Sequence, residues 1–76
     1  MPRLDELPAG TRARIASIAG DTALVQRLME LGVLDGEEVE VIGFAPLGDP
    51  MEVRLADTRL SLRRQEAAGI TVDPIG

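Results

Sequence analysis

A chain of 76 residues has room for one small domain, and 45% hydrophobic with 28% charged residues suits a folded protein better than a disordered one. It contains no Cys, no His and no Lys, and 13 acidic residues against eight arginines leave a net charge of −5. These counts exclude disulfides, thiolate and imidazole chemistry, the usual soft-metal sites and a P-loop, and they argue against nucleic acid as the main partner.

The chain opens with Leu4-Asp5-Glu6-Leu7-Pro8-Ala9-Gly10. Leu4 and Leu7 stand one helical turn apart and Pro8-Ala9-Gly10 ends the segment, which predicts a short turn whose leucines lid one end of a core. Thr11 to Ala19 reads as a strand, with Ala13 and Ile15 on one face and Arg12 and Arg14 on the other. Ile18 falls on the opposite parity, so a bulge or sharp bend near Ala16-Ser17 is needed to bring it to the core. Gly20-Asp21 starts a helix with Asp21 as N-cap. Leu24, Val25, Leu28 and Leu31 form its apolar stripe, Thr22, Gln26, Arg27 and Glu30 face outward, and Gly32 occupies the expected left-handed C-terminal position. About ten residues cannot hold a helix alone, so this one must pack on a sheet.

Asp35-Gly36 signals a turn, and Glu37 to Phe44 follows as a strand. Val39 and Val41 share one parity and Ile42 and Phe44 the next, a slip that predicts a bend eased by Gly43. Ala45 to Pro50 is a hairpin tip stiffened by Pro46 and Pro50. Met51 to Leu55 alternates with Met51, Val53 and Leu55 inward; Ala56-Asp57-Thr58 turns the chain; Arg59 to Arg63 alternates again with Leu60 and Leu62 inward. Arg64 to Ala68 predicts one helical turn ended by Gly69, and Ile70 to Asp73 a last short strand. The expected fold is mainly β: a small SH3-like barrel of five strands, with one α-helix between strands 1 and 2 and a short helical turn before the last strand.

Few residues are equipped for chemistry. A nucleophile at Ser17 or Ser61 would lack a His or Lys base, and a barrel this small offers little concave volume for paired carboxylates, so no catalytic activity is expected. Asp35, Glu37, Glu38 and Glu40 form the densest acidic cluster, and Glu38 and Glu40 share a strand face. A hard cation could approach there, but tight sites need more ligands, and a solvated face that blunts edge pairing explains the run as well. No resident metal or cofactor is expected. Arg59, Arg63 and Arg64 make a small basic cluster, read either as a contact for an acidic partner or phosphate, or as the partners of nearby carboxylates, the latter being favoured. Phe44, the single aromatic residue, cannot supply a stacking platform for nucleic acid or a polyproline groove.

Protein contact is the better prospect. Met29 lies off the main buried stripe, and Phe44, Leu47 and Met51 flank the stiff hairpin tip; exposed together they would form an apolar patch that loses little entropy on docking, the alternative being that they complete a core short of volume. The candidate interface is Arg27, Met29, Phe44, Pro46, Leu47, Pro50 and Met51. The longest uncharged run, Val41 to Gly48, is too short for a membrane span, and Asp5 and Glu6 interrupt any secretory leader, so a cytosolic protein is expected.

Several strings in order resemble the FeoA family of small accessory proteins of ferrous iron uptake. They are Leu4-x-x-Leu7-x-x-Gly10 with Ile15, Arg27-Leu28-Met29-Glu30-Leu31-Gly32 with Gly36, Pro46-Leu47-Gly48-Asp49-Pro50, and Leu60-Ser61-Leu62-Arg63 with Glu66-Ala67 and Ile70-x-Val72. Asp57 stands where the family often has Gly, a substitution that Asp tolerates in a left-handed turn. The resemblance implies a five-stranded SH3-like barrel. It also implies a role beside a membrane Fe(II) transporter whose cytosolic part includes a GTPase domain. Related domains end iron- and manganese-dependent repressors, but 76 residues leave no room for a helix-turn-helix, so a free-standing domain is expected. The alternatives are a carboxylate-based divalent metal sensor or carrier, and a homo-oligomeric structural module.

Overall fold

Alternating apolar residues become five antiparallel strands in the computed structural model, which describes residues 1–75. They are β1 (Arg12–Ile18), β2 (Glu38–Phe44), β3 (Met51–Leu55), β4 (Thr58–Leu62) and β5 (Ile70–Ile75), hydrogen-bonded in the order β4-β3-β2-β1-β5. The sheet coils into an SH3-like barrel that stays open between β4 and β5. β5 runs two residues beyond the expected Asp73, with Pro74 opposite Ala13; an edge strand accommodates that missing N–H.

Both expected bends are present. The β1–β5 register shifts between Ile15 and Ser17, so Ala16 is the extra residue and Ile18 turns back toward the core. The β2–β3 register shifts between Val41 and Gly43, which lets Val41 and Phe44 both pack inward despite opposite parity. The turn from β3 to β4 departs from expectation in one detail: the left-handed residue is Ala56, at φ 54°, and not Asp57.

The helix α1 spans Thr22–Glu30, and the Asp21 carboxylate accepts a hydrogen bond from the Leu24 N–H at 2.9 Å. Its end corrects one assignment. Leu31 is 45% exposed rather than packed, because the helix stops there and Gly32, at φ 96°, reverses the chain. The N–H of Gly32 then donates to Met29 O and that of Val33 to Leu28 O, and Val33 takes the buried place. Leu28 is the one fully buried residue of the helix; Leu24 and Val25 are half-buried.

A 3-10 turn at Leu4–Glu6 seats Leu4 and Leu7 in the core, as a lid requires. The single-turn helix α2 (Arg64–Ala67) adds buried Ala67. Gly69 follows, where a Cβ would stand 2.2 Å from the Ala19 carbonyl oxygen, so only glycine lets β5 start this close to the end of β1. Among the described residues no helix is long and apolar enough to cross a membrane.

Candidate protein-interaction surface

Of the seven candidate residues, two are taken up by the fold. Met51 opens β3, and strict alternation with Val53 and Leu55 turns it inward between Phe44 and Leu62; it is 0% exposed and offers nothing to a partner, which corrects its place in the patch. Phe44 is half-buried, packed on the core on one side and capped on the other by the Arg64 guanidinium 5.2 Å above its ring.

The hairpin tip is held out from the barrel by its own hydrogen bonds. Ala45 N–H donates to Pro50 O at 2.9 Å and Gly48 N–H to Ala45 O at 2.7 Å. Arg64 anchors the far side: its backbone N–H donates to Asp49 Oδ1 at 3.0 Å, and its guanidinium reaches Gly48 O at 3.4 Å and Asp5 O at 3.0 Å. On this braced loop Leu47 is 96% exposed, with exposed Pro46 beside it.

Met29, 50% exposed, lies on another face. With Ile18, Val25 and Leu34 it lines a groove of about 510 Å³ between α1 and the bulged end of β1, edged by Ser17 and Asp35. Arg27, two residues earlier, points to the opposite flank of the helix and is ion-paired with Glu66 of α2. There it shares a groove of about 450 Å³ with Leu31, Pro50, Ser61, Leu62, Arg63 and Glu66. The structure therefore splits the candidate patch into three places: the Leu47 tip, the Met29 groove and the Arg27–Pro50 groove. Sequence reasoning missed Leu31 and Leu34 as surface residues. Leu34 carried a signal, since it stands beyond the helix-ending glycine with no periodic partner.

The charged clusters are mostly satisfied internally. Glu38 pairs with Arg12 at 3.3 Å and Glu40 with Arg54, so an arginine already sits on each of the two carboxylates that share a face. No three His, Cys, Asp or Glu side chains converge among the described residues. Arg59 pairs with Glu52 at 3.7 Å, and Arg64 is bound to backbone oxygens and Phe44. The backbone N–H of Arg63 donates to Glu66 Oε1 at 2.9 Å, but its guanidinium makes no ion pair among the described residues, so the pairing expected of the basic cluster holds for one of its three members.

This barrel, with its helix after β1 and its proline-braced tip, matches the model of the FeoA domain over residues 3–74. The chain belongs to the FeoA family. Among solved structures, the FeoA protein of Chlorobium tepidum is 47% identical with a TM-score of 0.94, over 99% of this chain and 71% of that one. The zinc-complexed FeoA of Stenotrophomonas maltophilia, an SH3 domain protein, is 38% identical with a TM-score of 0.83, over 96% and 91%. A fusion of Fe(2+) transport protein A with the Fe(2+) transporter FeoB in Porphyromonas gingivalis is 40% identical over 73 residues. That stretch is 96% of this FeoA chain but 9% of the fusion protein.

Proposed function

We propose that this chain is a non-enzymatic cytosolic accessory protein of ferrous iron uptake, acting by contact with the GTPase-containing cytosolic part of an Fe(II) membrane transporter. The observation that carries this reading is the Porphyromonas gingivalis relative, in which a domain 40% identical to this chain is covalently joined to the transporter. Such a link raises the effective concentration of one module at the other, and two separate chains need a contact surface to reach the same end. The Leu47 tip and the Met29 groove are suited to it: both are apolar and exposed, and the tip is already braced, so docking orders little that was free. The accessory chain influences transport only to the extent that it binds one transporter conformation more tightly than another.

Calorimetric titration of the chain against the transporter's cytosolic part tests the reading. Because the two faces are separate, Leu47→Asp and Met29→Asp report on them independently. A loss of about tenfold or more in affinity is expected from the variant on the docking face. Wild-type affinity in both variants, or no binding at all, removes the proposal.

A further inference from the structure

The two edges of the open sheet are finished differently. The free side of β5 is covered by the start of the chain, since Val72 N–H donates to Pro2 O at 2.9 Å and Arg3 bridges to Thr71. β4 has β3 on one side and no strand on the other among the described residues. The pair Leu55 and Thr58 closes a two-residue turn, so it exchanges hydrogen bonds, as do Val53 with Leu60 and Met51 with Leu62. Arg59 and Ser61 therefore aim their N–H and C=O groups away from the sheet, with no backbone partner among the described residues.

Side-chain alternation along this edge sets what could pair with it. Arg59, Ser61 and Arg63 share the outer parity, and all three are exposed. Leu60 and Leu62 share the inner parity, and Leu60 is only half-buried. Past the strand end, the groove with exposed Leu31 and Pro50 on its walls continues the line of the edge through Ser61 and Arg63. In a chain of net charge −5, this edge carries Arg59, which reaches Glu52 only at 3.7 Å, and Arg63, whose guanidinium makes no ion pair among the described residues.

We infer that β4 is a docking edge for an extended partner segment that alternates acidic and apolar side chains, added to the sheet through the outward backbone groups of Arg59 and Ser61. Main-chain bonds supply the affinity, carboxylates opposite Arg59 and Arg63 supply selectivity, and the apolar parity covers Leu60. A second copy is the poorer occupant, because edge-to-edge pairing of two β4 strands gathers the arginines of both along one seam. This edge is distinct from the Leu47 and Met29 faces, so its test stands or falls apart from the transporter contact.

The probe is a short synthetic peptide alternating valine and glutamate, titrated into the isotope-labelled full chain and followed by NMR. The expected result is saturable binding with amide-exchange protection gained at Arg59 and Ser61. A valine–lysine peptide and Arg63→Glu should each bind about tenfold more weakly or worse. Ser61→Pro removes an outward N–H that the fold does not use and should abolish protection at Arg59. Should that variant fail to fold, the valine–glutamate peptide with alternate backbone nitrogens methylated probes the same main-chain pairing on the native chain, and it should lose its binding. Equal binding of the lysine peptide, undiminished binding of the methylated peptide, or mass increase through self-pairing of β4 overturns the inference.

Discussion

The N-terminal lid and the hairpin tip are both short, proline-containing connections, and both rest on Arg64, yet they treat leucine in opposite ways. The lid folds Leu4 and Leu7 into the barrel end, whereas the tip presents Leu47 almost wholly to solvent. The difference lies in what each backbone is tied to. The 3-10 turn sits over the mouth of the barrel, with β5 and α2 behind it, so its leucines have a core to enter. The tip bonds to itself and to Arg64, which holds its backbone clear of the barrel and leaves Leu47 with no apolar neighbour to reach. A leucine kept in water by a braced loop costs the fold little and is available to another surface.

Substitutions can break or sharpen this contrast, and the sealed side should respond most. Leu4→Ala removes a fully buried side chain and is expected to lower stability by about 3 kcal/mol in urea unfolding. Gly69→Ala forces a methyl group onto the Ala19 carbonyl where β5 starts and should cost about 2 kcal/mol by the same measurement. Arg64→Ala touches both regions at once. It removes the bonds to Asp5 O and Gly48 O and the contact over Phe44, so a loss of about 1 kcal/mol and faster amide exchange in residues 45–50 are expected. Leu47→Asp closes the series: stability should stay within about 0.5 kcal/mol of the parent in the same unfolding experiment while transporter binding weakens. A Leu47→Asp loss as large as that of Leu4→Ala would mean that the tip packs on the barrel in solution and the contrast is void.

Legibility in the sequence followed the range of the interactions involved. The bulge at Ala16 and the bend before Gly43 were readable because a parity slip such as Ile15 to Ile18 has few local remedies. The Asp21 cap and the Gly32 stop were readable for the same reason, since both act within one turn of helix. Leu31 misleads because periodicity continues past the point where the helix ends, and only the Gly32 reversal hands its place to Val33. The candidate interface was legible as residue types and not as one surface. Arg27 and Met29 are neighbours in sequence but lie on opposite flanks of α1, and Met51 can be next to the tip only by being inside the barrel.

Composition and short-range pattern by themselves determined a small acidic five-stranded barrel with one capped helix, no imidazole or thiol chemistry, and a stiff loop at residues 45–50. Only the tertiary structure decided which apolar residues remain outside, which carboxylates are already held by arginines, and that one sheet edge is covered while the other has no further strand among the described residues. Those outcomes depend on contacts between segments far apart in the chain, such as Arg64 with Asp5 and Arg27 with Glu66, whose geometry no local spacing specifies.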